Sequence, residues 1–331
     1  MNKILILGGA GYIGTVVSQY LCKKKLDVTV IDNLLYNQKK INYSKFFENY
    51  KFYNLNLNKI KSSFFNNFDQ IIILASVVGD PITKKYPRIA KKININYTKK
   101  IINFAFNKNY KKIIFVSTCS NYGNLKNKIA TEKTKLAPRS IYAETKVELE
   151  KYILKKSVNF RNSEVTILRF ATAFGLSDRM RFDLTINEFI REIYIKKTIE
   201  IFDPYTWRPY CHVQDFANIF HKIITKKNVN RKKVEIFNVG SSLNNYNKIM
   251  IIKKIKKHIR DFQVKLRPDS SDPRDYKVNF SKIERIYDFK PKISVNQGIV
   301  EILKELKKGK FITLKKYRDN LGNYKIITNV Q

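Results

Sequence analysis

Tyr142 and Lys146 lie four residues apart in the stretch Ile141-Tyr142-Ala143-Glu144-Thr145-Lys146. On a helix that spacing puts both side chains on one face. A lysine ammonium beside a phenol favours the phenolate and lowers its pKa. The tyrosine could then act as a general base near neutral pH, which its ordinary pKa of about 10 forbids. Such a pair is common, and by itself it describes no more than a solvated helix face. A second stretch, Val116-Ser117-Thr118-Cys119-Ser120-Asn121-Tyr122-Gly123, crowds hydroxyls and a thiol directly after the apolar Ile113-Ile114-Phe115. Either it merely ends a strand, or one of its side chains touches a substrate. Cys119 as a covalent nucleophile lacks a histidine near it in sequence, and small-residue packing suits it better.

A third pattern is better placed. Gly8, Gly11 and Gly14 follow the β-rich run from Lys3 to Leu7 and open a helical stretch, residues 15–24, with Val16, Val17, Tyr20 and Leu21 on one face. Glycine there lets the turn tighten, lets backbone approach a pyrophosphate, and lets helix pack on strand. The helix N-terminus adds free N–H groups and a positive dipole. Asp32 ends the next apolar run, Val28-Thr29-Val30-Ile31, where a carboxylate can accept from a ribose diol. That carboxylate would repel a 2′-phosphate, so NAD is expected over NADP.

The elements that must hold these groups are legible as apolar runs at 71–75, 113–116, 165–168 and 234–240, with helical segments at 93–107 and 142–156. Strands alternating with helices, and strands apolar throughout, imply a buried parallel sheet in an α/β fold. After Gly175 arginine, aspartate and aromatic residues become dense as far as Asp215, and from Asn247 onward the chain reads as a mixed helix–strand lobe. The chain has 331 residues, 44% of them hydrophobic, enough for one large domain or two coupled ones. No apolar run approaches the ~20 residues that span a bilayer, and Met1-Asn2-Lys3 leads straight into a strand rather than a leader. No membrane association is expected. Three scattered cysteines, Cys22, Cys119 and Cys211, fit neither a disulfide framework nor a metal site and point to a reducing cytoplasm. The net charge of +38 is spread along the chain in twos and threes, together with abundant Asn, Ile, Tyr and Phe. It reads as coding bias rather than nucleic-acid binding, although it would draw in an anionic substrate.

With these motifs in order, the sequence resembles the extended short-chain dehydrogenases/reductases, in their nucleotide-sugar epimerase/dehydratase group. The resemblance runs from Lys3 to about Ile299 and rests on GGAGYIG, Asp32, the Leu74-Ala75-Ser76 run, Asn94, STCSNYG, YAETK, LRFATAFG, WRPYCHVQD and FNVG. It implies a Rossmann-type doubly wound parallel sheet with a smaller C-terminal mixed α/β substrate lobe. Residues 1–175 would form the NAD-binding domain, with 209–246 returning to it, and 176–208 and 247–331 would form the lobe. It implies that Thr118 assists Tyr142 as acid/base, with Lys146 as tuner, and that Ser117 is the rival hydroxyl. Gly8, Gly11, Tyr12, Ile13, Gly14, Asp32, Asn33, Leu74, Ala75 and Asn94, with Tyr142 and Lys146, would contact NAD.

For the substrate, the resemblance implies a nucleotide-diphosphate sugar. Arg208 matches the arginine before the His212-Val213 motif, and Arg274 falls where a second phosphate-binding arginine is usual. Arg179 and Arg181 are further candidates, with Asn187 behind them. Thr172 stands where many relatives carry asparagine, and Asn56 where they carry an adenine-contacting aspartate. Cys119-Ser120 replaces the Asp-Glu of 4,6-dehydratases, which disfavours dehydration and leaves oxidation at C4. The expected activity is an NAD-dependent 4-epimerase acting through a 4-keto sugar, in surface-polysaccharide synthesis. The alternatives are a C4 dehydrogenase that releases the 4-keto sugar, a 4,6-dehydratase, and a non-catalytic NAD-binding protein. The combination of STCSNYG, RMRFD and WRP resembles a branch that includes GDP-heptose C4 dehydrogenases. A homodimer is implied. His212 and Asp215 read as a structural turn, and His221 and His258 as surface residues.

Overall fold

The computed structural model describes residues 2–38, 43–108, 110–159, 163–226, 234–268, 274–312 and 321–327. The apolar runs become β1 (Lys3–Leu7), β2 (Asp27–Asp32), β3 (Tyr50–Asn54), β4 (Gln70–Ile73), β5 (Lys112–Thr118), β6 (Glu164–Phe170) and β7 (Val234–Val239). They join in one sheet of order β3-β2-β1-β4-β5-β6-β7, every neighbouring pair parallel. Side chains alternate between faces along a strand. Ile4 and Ile6 of β1 therefore enter one core, and Leu5 and Leu7 the other. Ile72 and Ile114 join the first, while Ile71, Ile73, Ile113 and Phe115 join the second. Both faces are covered, so the strands are apolar throughout.

The strand order reverses between β1 and β4. Loops leaving the carboxyl ends of these two strands diverge, and a crevice opens between them. The first helix, Tyr12–Lys23, begins three residues earlier than its apolar stripe suggests, because the glycine turn ends at its N-cap Gly11. It packs against Val213–Thr225, where Asn218 donates to the Tyr20 hydroxyl at 3.0 Å. The helix expected over 93–107 is not continuous. It runs as Pro87–Lys91, a π-helical segment Lys92–Tyr97, and Thr98–Asn107. The helix Ile141–Ser157 is capped by Ser140, whose hydroxyl accepts from Ala143 N at 3.3 Å.

The remaining elements build a mixed lobe over the crevice. Thr172–Phe174 pairs in parallel with Trp207–His212, which pairs antiparallel with Asn245–Asn247. Asn124–Ala130 pairs with Asp275–Val278, and Thr198–Phe202 with Gln263–Arg267. Thr172–Phe174 thus belongs to a lobe sheet although it follows β6 by a single residue. The helices Thr185–Lys196 and Val295–Lys307 complete the lobe. His212 accepts from Gln214 N and bonds Glu301 at 2.7 Å, while Asp215 accepts from Lys292 N and Ile293 N. His212 joins two elements of the lobe, and Asp215 ties the chain entering Val295–Lys307 to the helix Val213–Thr225. His258 is exposed, whereas His221 is half-buried against the Tyr20 ring, more enclosed than a surface position. Among the described residues, no helix is long and apolar enough to cross a membrane.

Phe170, at the end of β6, stacks on Phe216 with ring centroids 4.0 Å apart. Phe216 is fully buried, so Phe216→Ala leaves a hole that the sheet cannot close. A loss of about 3–5 kcal/mol in unfolding free energy is expected, measured by urea denaturation. A loss below ~1 kcal/mol would contradict this packing.

Candidate active site

Gly8 has φ +85°, and a side chain there would strike the backbone nitrogen of Ala75 at 2.5 Å. A Cβ on Gly14 would meet the Gly8 carbonyl at 2.4 Å. These two glycines draw β1, the β4 loop and the first helix together. Gly11 differs: a Cβ there would meet only the Gly8 carbonyl, at 3.4 Å, and the residue lines the pocket. No side chain caps this helix. Free N–H groups and a bare turn therefore face the crevice, which suits a pyrophosphate. Asp32 lines the same pocket and accepts from Leu34 N at 2.8 Å and Ala10 N at 3.1 Å. Burial raises its carboxyl pKa, and those two N–H groups and the Arg179 charge oppose the rise. Ile13, Asn33, Leu74 and Ala75 also line the pocket, as does Asn56. These residues fit a dinucleotide laid along the β1–β4 crevice.

The opposite wall carries the hydroxyls. Thr118 ends β5, accepts from Ser120 N at 3.1 Å, and shares a hydrogen bond with the Tyr142 phenol. Both line the pocket, as does Lys146. The Ser117 hydroxyl lies at 2.5 Å from Glu150 and accepts from Asn121 at 3.1 Å, so the rival is committed elsewhere. Cys119 is buried with its thiol on the Arg169 carbonyl, and burial pushes its pKa well up, consistent with packing and not attack. Lys146 donates to the Val116 carbonyl at 2.8 Å and sits 5.9 Å from the Tyr142 ring centre. Here the simple expectation changes. Burial pulls Lys146 down to about 7, so it is not a full ammonium at neutral pH. Burial raises the Tyr142 phenol, opposed first by the Arg181 charge and then by the Thr118 hydrogen bond. Arg181 is thus the cation that acts most on the phenol in this arrangement.

Behind the wall lies a buried polar network that the sequence did not reveal. Glu150, one turn beyond Lys146, takes both oxygens to Arg169 of β6, the shorter contact at 2.6 Å. Arg169 also donates to the Tyr122 hydroxyl, which donates to Asn238 at 2.6 Å. Ser117, Asn121, Glu150 and Arg169 therefore fix the turn that presents Thr118. The Glu150 charge also supports the charged form of Lys146.

Not every expected residue reaches the pocket. Asn94, on the π-helical segment, clamps Val77 by accepting from its N–H at 2.7 Å and donating to its carbonyl at 3.1 Å. It shapes the β4 loop and is not among the residues lining the pocket. Asn187 accepts from Gly175 N and donates to the Tyr12 hydroxyl and the Arg181 carbonyl, all buried. It holds the framework. Tyr12 itself lines the pocket while its hydroxyl donates to Gly175 at 2.7 Å. Arg208 donates to the carbonyls of Trp207 and Arg274 and lies over the Tyr276 ring, outside the pocket lining. It buttresses Arg274, which does line the pocket and pairs with Asp80. Thr172 and Arg181 also face the pocket, and Arg181 forms a two-pronged pair with Asp183. Arg179 faces it beside Tyr36, its pKa drawn down to about 10 by burial and by Arg181. Asp80, Tyr276 and Asn323 are lining residues without a local sequence signal. Tyr276 lies 3.2 Å from the Ser120 hydroxyl. Among the described residues, no group of His, Cys, Asp or Glu gathers as a metal site.

The sequence profile of the NAD dependent epimerase/dehydratase family matches residues 4–240. A UDP-glucuronate 4-epimerase of Thermodesulfobacterium geofontis is 25% identical over 338 residues, covering 93% of this chain and all of its own. An ADP-L-glycero-D-manno-heptose-6-epimerase of Brachyspira hyodysenteriae is 25% identical, covering 92% of this chain and 98% of its own. Among solved structures, UDP-glucuronic acid 4-epimerase from Bacillus cereus superposes with a TM-score of 0.82 at 23% identity, covering 92% of this chain and 99% of that one. That structure holds NAD and UDP-4-deoxy-4-fluoro-glucuronic acid.

Two outcomes follow from the buried groups. Glu150→Ala leaves Arg169 charged and unpaired out of water, and should cost about 3–5 kcal/mol of stability by denaturant titration. Lys146 binds fewer protons folded than unfolded between pH ~7 and its unfolded value of about 10.4. Rising pH therefore penalises the unfolded state, which holds the extra proton, and stability contributed through Lys146 should increase across that window. The parent protein should gain on Lys146→Met as pH rises from 7 to 10. Parallel stability curves for the two would refute the depressed pKa.

Proposed function

The chain belongs to the NAD dependent epimerase/dehydratase family, and on that premise we propose that it is a nucleotide-sugar 4-epimerase that works through a 4-keto sugar. One observation carries this reading: the Tyr142–Thr118 pair, with Lys146 beside it, opens into the same pocket as the bare glycine turn and Asp32. The likeness in sequence to named sugar-nucleotide epimerases supports it. When bound, NAD supplies the acceptor and donor of hydride at the sugar carbon. Gly11 and the first helix N-terminus would hold its pyrophosphate, and Asp32 a ribose diol, which favours NAD over its 2′-phosphate form.

The protein's own part is proton handling and orientation. Tyr142 takes the proton from the C4 hydroxyl and later returns one. Thr118 holds the phenol by its hydrogen bond and shares the reacting oxygen. Arg181 and Lys146 stabilise the phenolate that burial opposes. Arg274, Thr172 and Arg181 line the same pocket, and a guanidinium suits a diphosphate. Elimination of water is disfavoured. Dehydration needs an acid and a base at positions 119 and 120, and here a buried thiol with a raised pKa and a hydroxyl shared with Tyr276 stand there. The reading includes a homodimer packed through Ile141–Ser157 and the neighbouring Thr98–Asn107, which light scattering can check.

The deciding experiment incubates the purified protein with UDP-, GDP-, dTDP- and CDP-sugars while following NADH and sugar products. A new epimer without net NADH supports this reading. NADH accumulation with a released keto sugar would replace it with a C4 dehydrogenase, and no change with any sugar would remove the enzymatic reading. Tyr142→Phe should lower kcat by about 10²–10⁴-fold while NAD affinity, measured by calorimetry, changes little. Full turnover in that variant would overturn the assignment of the phenol.

A further inference from the structure

Residues 321–327 return to the pocket from far along the chain. Leu321 accepts from Phe182 N at 2.6 Å, and Gly322 accepts from Arg179 Nη2 at 3.1 Å. Asn323 donates to the Val78 carbonyl at 2.8 Å, and Ile327 N donates to the Leu35 carbonyl at 3.1 Å. The segment thus straps the loop after β2, the loop after β4 and the turn at Arg179 to one another. Asn323 is only 6% exposed and lines the pocket. Its Oδ1 is buried without a partner in the protein, and so is Nε of Arg179. An acceptor and a cationic donor, both held in place at their other ends, are therefore left with nothing to bond in a pocket wall. Buried groups of this kind are normally satisfied. A single ligand that satisfies both must offer an acceptor, for which an anionic oxygen suits the guanidinium best, and a donor such as a hydroxyl.

Position separates the two ligands of the proposed reaction. The Arg179 guanidinium lies 5.1 Å from the Tyr36 ring, just past Asp32, and its charge is felt at Asp32. Arg274 and Tyr276 belong to the wall near Ser120. Arg179 was expected to grip the sugar nucleotide, but the geometry sets it on the dinucleotide side. We propose that Arg179 and Asn323 are cofactor-binding residues, Arg179 donating to the dinucleotide pyrophosphate and Asn323 accepting from a ribose hydroxyl, with the 321–324 strap closing over both. The inference rests on the functional reading above, since it takes the dinucleotide to be NAD.

The test is calorimetric titration of NAD into the full-length parent, Asn323→Ala and Arg179→Ala, with UDP and GDP titrated separately. Far-UV circular dichroism and melting temperature control for folding. The expected result is a rise in the NAD dissociation constant of about five- to tenfold for Asn323→Ala, and more for Arg179→Ala because a charged bond is lost. UDP and GDP binding should stay within about twofold of the parent. NAD should also leave Asn323→Ala faster in a stopped-flow displacement. A parent that binds NAD and an Asn323→Ala protein that binds it equally well would overturn this inference alone. So would a loss confined to UDP or GDP. A parent that takes up no NAD removes the functional reading and this inference together.

Discussion

Glu150 and Arg169 meet almost wholly out of water, directly behind Thr118 and Lys146. Burying two charges is costly unless their remaining bonds are filled. Here they are: Ser117 and Asn121 complete the carboxylate, and Tyr122 and the Glu132 carbonyl complete the guanidinium. The pair joins the helix that carries Tyr142 to the strand next to β5. The phenol, the lysine and the Thr118 turn are consequently braced from one point. A replacement by apolar residues could fill the same space, but it would release the Ser117 and Asn121 bonds that orient the turn.

That brace stands behind a half-buried phenol that faces the pocket. Desolvation raises the Tyr142 pKa, and a lysine placed in the same dry wall loses charge for the same reason. Two opposing charges keep the balance from failing. Glu150 favours protonated Lys146 from behind, and Arg181, which lines the same pocket, favours the phenolate. Arg181 is itself held by Asp183, so its position does not depend on substrate. The phenol's surroundings thus hold several layered charges rather than a single lysine.

Much of this was legible in the sequence where the signal is local. Strands apolar at every position announced a sheet covered on both faces, and the seven-stranded parallel sheet follows. Glycine spacing after a strand, Asp32 at the end of the next, and the four-residue spacing of Tyr142 and Lys146 each depend on neighbours in the chain. What failed to show depends on residues brought together from afar. Glu150 and Arg169 are 19 residues apart, and Arg274 meets Asp80 across the pocket. No periodicity encodes such meetings. Asn94, Asn187 and Arg208 were read from motif position alone, and all three turned out to hold backbone at the site's edge. A motif fixes where a residue stands in the chain but not which way it faces. The helix over 93–107 was likewise read as regular, and only the backbone shows the wider π turn that carries Asn94.

The bonds from residues 321–327 to Leu35 and Val78 also bear on how the molecule is assembled. The loops after β2 and β4 stand far upstream in the chain from the segment that finishes their wall. A nascent chain can complete its sheet and still present an open groove. The enclosed form of the pocket therefore depends on residues 321–327, and a chain stopped before Leu321 would keep its sheet and leave that wall unclosed.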